Sequence, residues 1–263
     1  MMEVEIGSLF DVSGKVVVVS GGGRGIGEMI SSTFVAAGVE RIYLASRSKV
    51  ALESTAMKLN KIREGSCHII EADLSTVEGC QKVASVVASK EKAVHVLVNN
   101  SGATWGAPIE SFPEKGWNKV MDLNVKGLFF LTQALLPLLK AGATKEDPSR
   151  VINIGSVNGE NIPFYEAYSY SASKAAVHHL TRHLASRLAH DNITVNAIAA
   201  GPFPTKMLSF IEETNLSKGV PLSRVGSSTD IGGACIFLSS KASSWITGVT
   251  LPVDGGVLVK ASI

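Results

Sequence analysis

The sequence predicts an α/β fold, one domain over residues 1–263 built on a doubly wound parallel sheet of about seven strands flanked by helices. Three observations predict it. Short apolar, β-branched runs alternate with helical stretches of about ten to fifteen residues, the rhythm of a parallel sheet with crossover helices. The first such run leads straight into a glycine cluster and then a helix. No repeat, low-complexity tract or linker divides the 263 residues, a length that suits one large α/β unit.

Composition narrows the function classes. Apolar residues at 45% and charged residues at 18% describe an ordinary globule. A net charge of +2 gives no reason to expect nucleic acid or a membrane surface as a partner. Cys67, Cys80 and Cys235 are few and scattered, which suits a reducing compartment rather than a disulfide framework. The first ten residues carry Glu3 and Glu5 and lack an apolar core, so no signal peptide is expected. The most apolar stretch, Gly127 to Leu139, is broken by Gln133 and Pro137, so a buried or interface helix is expected rather than a membrane span. The expected location is cytoplasmic.

Lys15-Val16-Val17-Val18-Val19-Ser20 reads as a strand buried on both faces. It runs into Gly21-Gly22-Gly23-Arg24-Gly25-Ile26-Gly27, then a helix over Glu28–Ala37 closed by Gly38. Glycines allow the tight turn, and the free N–H groups of the helix start face an anion, so strand–turn–helix suits a dinucleotide pyrophosphate. Gly21, Gly25 and Gly27 follow G-x-x-x-G-x-G, and a glycine cluster alone is often only a flexible turn. The flanking strand and helix carry the signal.

A second strand, Arg41–Ala45, ends in Ser46-Arg47-Ser48. An acidic residue at this place would hold a ribose 2′-hydroxyl; here no carboxylate occurs until Glu53. Arg47, with Arg24 in the glycine turn, suits a 2′-phosphate, so NADP(H) is expected rather than NAD. A third strand, His68–Ala72, ends at Asp73-Leu74. A helix over Val77–Ser89 and a strand over Val94–Val98 then lead into Asn99-Asn100-Ser101-Gly102. Right-handed crossovers would bring Gly21, Arg47, Asp73 and Asn100 to one sheet edge, where such folds bind ligands.

Lys119–Leu139 predicts one long helix, with Asn124 in its interior, a residue type that usually faces solvent there. A strand over Arg150–Ile154 delivers Gly155-Ser156. Beyond the next helix come a strand over Ile193–Ile198, an extended loop over Ala199–Thr205, a helix over Thr229–Leu238 and a strand over Gly248–Val253. A mobile substrate flap is expected over about 203–222, its apolar residues being Phe203, Met207, Leu208, Phe210 and Ile211.

In the helix over Ser169–Ala189, Tyr170 and Lys174 lie four residues apart on one face. A free phenol ionises near pH ~10, and an ammonium held close would lower that value and make the pair a tuned acid/base. A surface Tyr and Lys four apart are common, so the pair alone says little. His179 and His183 are also four apart, yet no acidic residue sits at the intervening position and no third ligand suggests itself, so no metal is expected. Ser156 lacks the first glycine of a nucleophile elbow, Ile154 standing there.

From about residue 10 to 258 the chain resembles the short-chain dehydrogenase/reductase family, a Rossmann fold. The likeness is carried by Ser20-Gly21 with Gly25-Ile26-Gly27, Asp73-Leu74, Asn99-Asn100-Ser101-Gly102, Asn124, Ser156, Tyr170 with Lys174, Gly201-Pro202 with Thr205, and Asp254-Gly255-Gly256. Two positions depart from the family pattern: Ser101 replaces an alanine, and Ala200 replaces the proline before Gly201, a change expected to loosen that loop. The resemblance implies that Tyr170 exchanges a proton with the carbonyl oxygen, Lys174 tunes it and bonds the nicotinamide ribose, Ser156 holds the carbonyl oxygen and Asn124 fixes a water beside Lys174. It further implies cofactor contacts from Asp73 (adenine), Thr205 (carboxamide) and the Gly201-Pro202-Phe203 loop. Tyr165 and Tyr168 are rival acids, but neither has a lysine four residues on.

Thr104–Leu139 and Asn153-Ile154-Gly155-Ser156 are similar to 3-oxoacyl reductases of the rhamnolipid type. The implied substrate is a small-molecule carbonyl compound, either a hydrophobic ketone or diketone or a 3-oxoacyl thioester, with sugars or sugar acids as the alternative. A non-catalytic NADP(H)-binding regulator is the alternative of a different class. Family members commonly assemble through the two long helices and the C-terminal strand, so a homo-oligomer, a tetramer or dimer, is expected.

Overall fold

A computed structural model describes residues 5–163, 165–206 and 217–260. Seven strands form one sheet in the order β3-β2-β1-β4-β5-β6-β7, and every neighbouring pair is parallel. They are β1 Val16–Ser20, β2 Arg41–Ser46, β3 Cys67–Glu71, β4 Val96–Asn99, β5 Ser149–Ile154, β6 Ile193–Ala200 and β7 Thr250–Val253. The chain reverses its direction of travel across the sheet between β1 and β4. That switch opens a crevice beyond the carboxyl ends of the strands.

Among the described residues the α-helices include a single turn α1 (Ile6–Leu9), then α2 (Gly25–Ala36), α3 (Lys49–Ile62), α4 (Val77–Ala88), α5 (Glu114–Met121), α6 (Leu128–Gly142), α7 (Tyr168–Leu188) and α8 (Ser228–Ser239). The valine run explains the two-sided packing. Val17 and Val19 enter a core with Phe34 of α2, Leu52 of α3 and Ile231 of α8. Val16 and Val18 point the other way, into a core with Val83 of α4, Leu131 of α6 and Leu188 of α7. Side chains alternate along a strand, so only a strand covered on both faces shelters four consecutive valines. Each contributes roughly 1.5–3 kcal/mol by leaving water. The sequence pattern did not single out α3, whose buried Leu52, Thr55, Ala56 and Leu59 lie on one face among charged neighbours.

The long helix predicted over Lys119–Leu139 is three pieces: α5, a π-helical turn over Asp122–Gly127, and α6. Pro137 sits inside α6 without ending it. By length and composition Glu114–Gly142 is apolar enough to cross a membrane; its Leu131, Leu135 and Leu139 are buried against the sheet. Of the expected flap, Met207, Leu208, Phe210 and Ile211 lie outside the described residues.

Candidate active site

Side chains and backbone from the carboxyl ends of β1, β2, β4, β5 and β6 line one cleft of about 1010 Å³. Ser20, the last residue of β1, ties two of these ends together: its hydroxyl accepts the amide N–H of both Asn100 and Ser101, each at 2.9 Å. The Asn100 side chain returns the tie by donating to the carbonyls of Ser20 at 3.0 Å and Gly21 at 3.2 Å. Gly21 sits at φ +68°, and a Cβ on Gly27 would come within 2.2 Å of its carbonyl oxygen, so the turn closes only with glycine at both. The N-cap Arg24 makes no side-chain cap on α2, and Gly25, Ile26 and Gly27 of the first turn face the cleft. Those first-turn amides and the helix dipole suit an anion.

Arg24, Ser46 and Arg47 also line the cleft, with no carboxylate at the ribose position. This donor set fits a phosphorylated ribose. Asp73 stands aside. Its carboxylate accepts from the amide and hydroxyl of Ser75 at 3.0 and 2.7 Å and faces Arg47 across 3.8 Å. Burial works to raise its pKa, but the Ser75 hydrogen bonds and the Arg47 charge bring it below the usual value. Asp73 borders a shallow depression beside Arg47, whereas its neighbour Leu74 faces the main cleft.

Farther along, Asn100, Ser101 and Gly102 meet Ser156, Tyr170 and Lys174. Tyr170 lies in the first turn of α7 and packs with Val120 and Ala167, Trp105 and Tyr165 closing over them. Lys174 places its ammonium 5.7 Å from the Tyr170 ring centre and donates to the Ile154 carbonyl at 2.7 Å. The expected depression of the tyrosine pKa is corrected here. Burial pushes the phenol up to about 12, and the Ser156 hydroxyl offsets only part of it. Burial likewise pulls Lys174 down to about 8. Both groups have left water, and the ammonium's hydrogen bond goes to a carbonyl rather than to the phenol. Near neutral pH the pair is therefore a neutral phenol beside a mostly charged amine.

Asn124 is buried rather than on the exposed helix face usual for an interior Asn. It sits in the π turn, where its Oδ1 accepts the Ala103 amide N–H at 2.8 Å and its Nδ2 donates to the Ala103 carbonyl at 3.0 Å and to Ser173 Oγ at 2.9 Å. A π turn at a functional site is a recurrent device for re-aiming a side chain. Gly102 lies between Asn124 and Lys174: a Cβ there would be 3.6 Å from Oδ1 of the one and 3.8 Å from Nζ of the other.

Gly201, Pro202, Phe203 and Thr205 complete the far wall. Ala200, where a loosening of the loop is expected, stands in the sheet ladder. Without a proline, β6 pairs with β7 through Ala200↔Val253, and the Gly201 amide continues the ladder to the Val253 carbonyl at 3.0 Å. Sequence reasoning missed His178, which is buried against the Ser156 loop, while His179 is exposed and pairs with Arg182. Its signal was position: Tyr170, Lys174 and His178 recur every four residues. The Asn158 amide, which donates to the Tyr165 hydroxyl at 3.0 Å, also borders the cleft and carried no sequence signal.

The family described as "Enoyl-(Acyl carrier protein) reductase" matches residues 21–258. A rhamnolipids biosynthesis 3-oxoacyl-[acyl-carrier-protein] reductase of Pseudomonas aeruginosa is 40% identical over 252 residues, 94% of this chain and 97% of that protein. A 5-keto-D-gluconate 5-reductase of Escherichia coli is 32% identical over 259 residues, covering 95% and 98%. Among solved structures, the Pseudomonas aeruginosa RhlG/NADP active-site complex superposes with a TM-score of 0.91 at 40% identity, covering 95% of this chain and 99% of that one.

Proposed function

The chain belongs to the short-chain dehydrogenase/reductase family, and from that membership we propose that it is an NADP(H)-dependent carbonyl reductase, turning a ketone into a secondary alcohol. One observation carries this: Ser156, Tyr170 and Lys174 open onto the same cleft as the glycine turn and Arg47. The cofactor is NADP(H), as in the similar RhlG complex, and when bound it supplies hydride. Arg24, Ser46 and Arg47 would hold the 2′-phosphate, the α2 N-terminus the pyrophosphate, and Asn100 to Gly102 with Pro202, Phe203 and Thr205 the nicotinamide half.

The chain's own residues manage the proton. Ser156 Oγ holds the substrate carbonyl oxygen and stabilises the negative charge developing there. The Tyr170 phenol, fully protonated at neutral pH because burial raises its pKa to about 12, donates its proton to that oxygen. The resulting phenolate is stabilised by the Lys174 ammonium and regains a proton from solvent. Asn124, fixed by Ala103 and Ser173, would hold a water beside Lys174 for that return.

For substrate, the apolar Val157, Pro163, Val220 and Val257 line the cleft and favour a hydrophobic ketone or 3-oxoacyl thioester, consistent with the 40% identical 3-oxoacyl reductase. A sugar acid is the second candidate, suggested by the 5-keto-D-gluconate reductase. Residues 1–263 would act as one catalytic unit, in the cytoplasm, as a homo-oligomer. The bare Trp245 and Val259 near the C-terminal strand, 99% and 86% exposed, support assembly there. The test is NADPH oxidation over a panel of β-ketoacyl thioesters, diketones and ketoaldonates. Turnover that vanishes in Tyr170→Phe supports the assignment; equal rates for the two proteins would leave a non-catalytic NADP(H)-binding regulator.

A further inference from the structure

His178 is 4% exposed and lies behind the wall that carries Ser156. Its Nε2 accepts the Ser156 amide N–H at 3.5 Å. On the other side Nδ1 lies 3.4 Å from Glu160 Oε1, outside hydrogen-bond geometry. The segment Gly155–Gly159 wraps the ring so closely that a Cβ on Gly155 would stand 2.2 Å from Nε2, and one on Gly159 2.9 Å from Cε1. Neither glycine has a positive φ, so no backbone conformation demands them. Room for the imidazole demands Gly155, and the α7 backbone at Lys174 (2.8 Å) together with the ring demands Gly159.

Ser156 itself has extended backbone, φ −164° and ψ 151°, and its hydroxyl accepts the Asn158 amide as the following 3₁₀ turn begins. Neighbouring Gly155 is pinned through its amide to the Ile198 carbonyl at 2.8 Å. The Ser156 amide has the imidazole as its acceptor. We propose that His178 is a positioning residue for Ser156: a neutral ring, with Nδ1–H toward Glu160 and a bare Nε2 toward the Ser156 amide, fixes where the serine hydroxyl stands in the cleft. The role rests on Ser156 being the group that holds the substrate carbonyl.

The surroundings keep the ring in that state. Burial lowers its pKa to about 4, and the charges of Lys174 and Arg182 on α7 act the same way; Glu160, at the end of the 3₁₀ turn, is the acidic side chain facing it. Protonation would put a hydrogen on Nε2 directly opposite the Ser156 N–H, two donors face to face. The loop would have to move, and the hydroxyl with it.

The experiment compares His178→Leu, which keeps bulk and loses the acceptor, with His178→Gln, which regains one. With saturating NADPH and the best ketone of the panel, kcat should fall at least about tenfold in His178→Leu. The NADPH dissociation constant should stay within about twofold and His178→Gln should recover most of the loss, since only the amide's partner has changed. Wild-type kcat in His178→Leu overturns the proposal, and so does a parallel loss of kcat and NADPH affinity that glutamine does not rescue. A second measurement needs no turnover: ¹⁵N shifts of the ring, assigned by the signal missing in His178→Gln, should show the neutral Nδ1–H tautomer at pH 7 in the NADP complex. An Nε2–H tautomer or a charged ring overturns it too. Because that readout is independent of ketone reduction, a wild type inactive on every ketone would sink the reductase assignment separately.

Discussion

The Lys174 ammonium donates a 2.7 Å hydrogen bond to the Ile154 carbonyl, pinning α7 to the end of β5 two residues before Ser156. The bond fixes the amine's position beside the Tyr170 ring but leaves it buried, and burial lowers its pKa from 10.5 to about 8. A depression of that size corresponds to about 3 kcal/mol against the charged form. The cleft thus holds a costly cation at the place where the proposed mechanism uses one.

Replacing it should show the trade. Lys174→Met should lose ketone reduction by about a hundredfold or more while the cofactor-free protein becomes more stable, by about 1–3 kcal/mol at pH 7. The sign follows from the depressed folded-state value: between pH 8 and 10.5 the unfolded chain binds more protons, so wild-type stability gains from Lys174 as pH rises through that window. The variant lacks that gain, so the stability difference between the two proteins should shrink toward pH 10. Urea melts at pH 7 and pH 9.5 check it; a variant less stable than wild type at pH 7 would count against a charged, desolvated amine.

The same amine sets a kinetic limb. On the proposed mechanism reduction needs the ammonium to stabilise the Tyr170 phenolate, so kcat/KM should decline as pH rises through about 8, the value to which burial brings Lys174 in the free enzyme. A rate that climbs through pH 9 would contradict it. Tyr170 contributes no limb in the accessible range, because its phenol remains protonated up to about 12.

Cofactor choice should follow Arg47. Its ion pair with Asp73 spans 3.8 Å between exposed side chains and is weak, leaving the guanidinium available to a phosphate. Arg47→Asp should raise the KM for NADPH by about 10- to 100-fold, the worth of a charge-assisted contact, and narrow or reverse the preference over NADH. Steady-state kinetics with both cofactors decide it; unchanged constants would remove Arg47 from the phosphate site.

Asn124 should prove structural as well as functional. Asn124→Ala strips both the amide and the carbonyl of Ala103 of a buried partner and leaves Ser173 Oγ short of one, at a cost of about 2–4 kcal/mol. Chemical denaturation should show that loss at equal m-value. A variant of wild-type stability would mean that water replaces the side chain.

The sequence by itself determined whatever is local or periodic. Four consecutive valines demanded a strand covered on both faces; Gly21 to Gly27 between strand and helix demanded a tight turn; Tyr170 and Lys174 had to share a helix face. Those features follow from covalent geometry over a few residues, and the structure places them as the spacing required. Only the tertiary structure decided the rest. Asn124 is buried because a π turn rotates it toward Ala103, which lies 21 residues back in the chain. His178 matters because Gly155 and Gly159 come from another element and close around its ring. The Tyr170 pKa rises rather than falls because desolvation sums over every group that excludes water from the phenol, and no spacing along a helix encodes that sum.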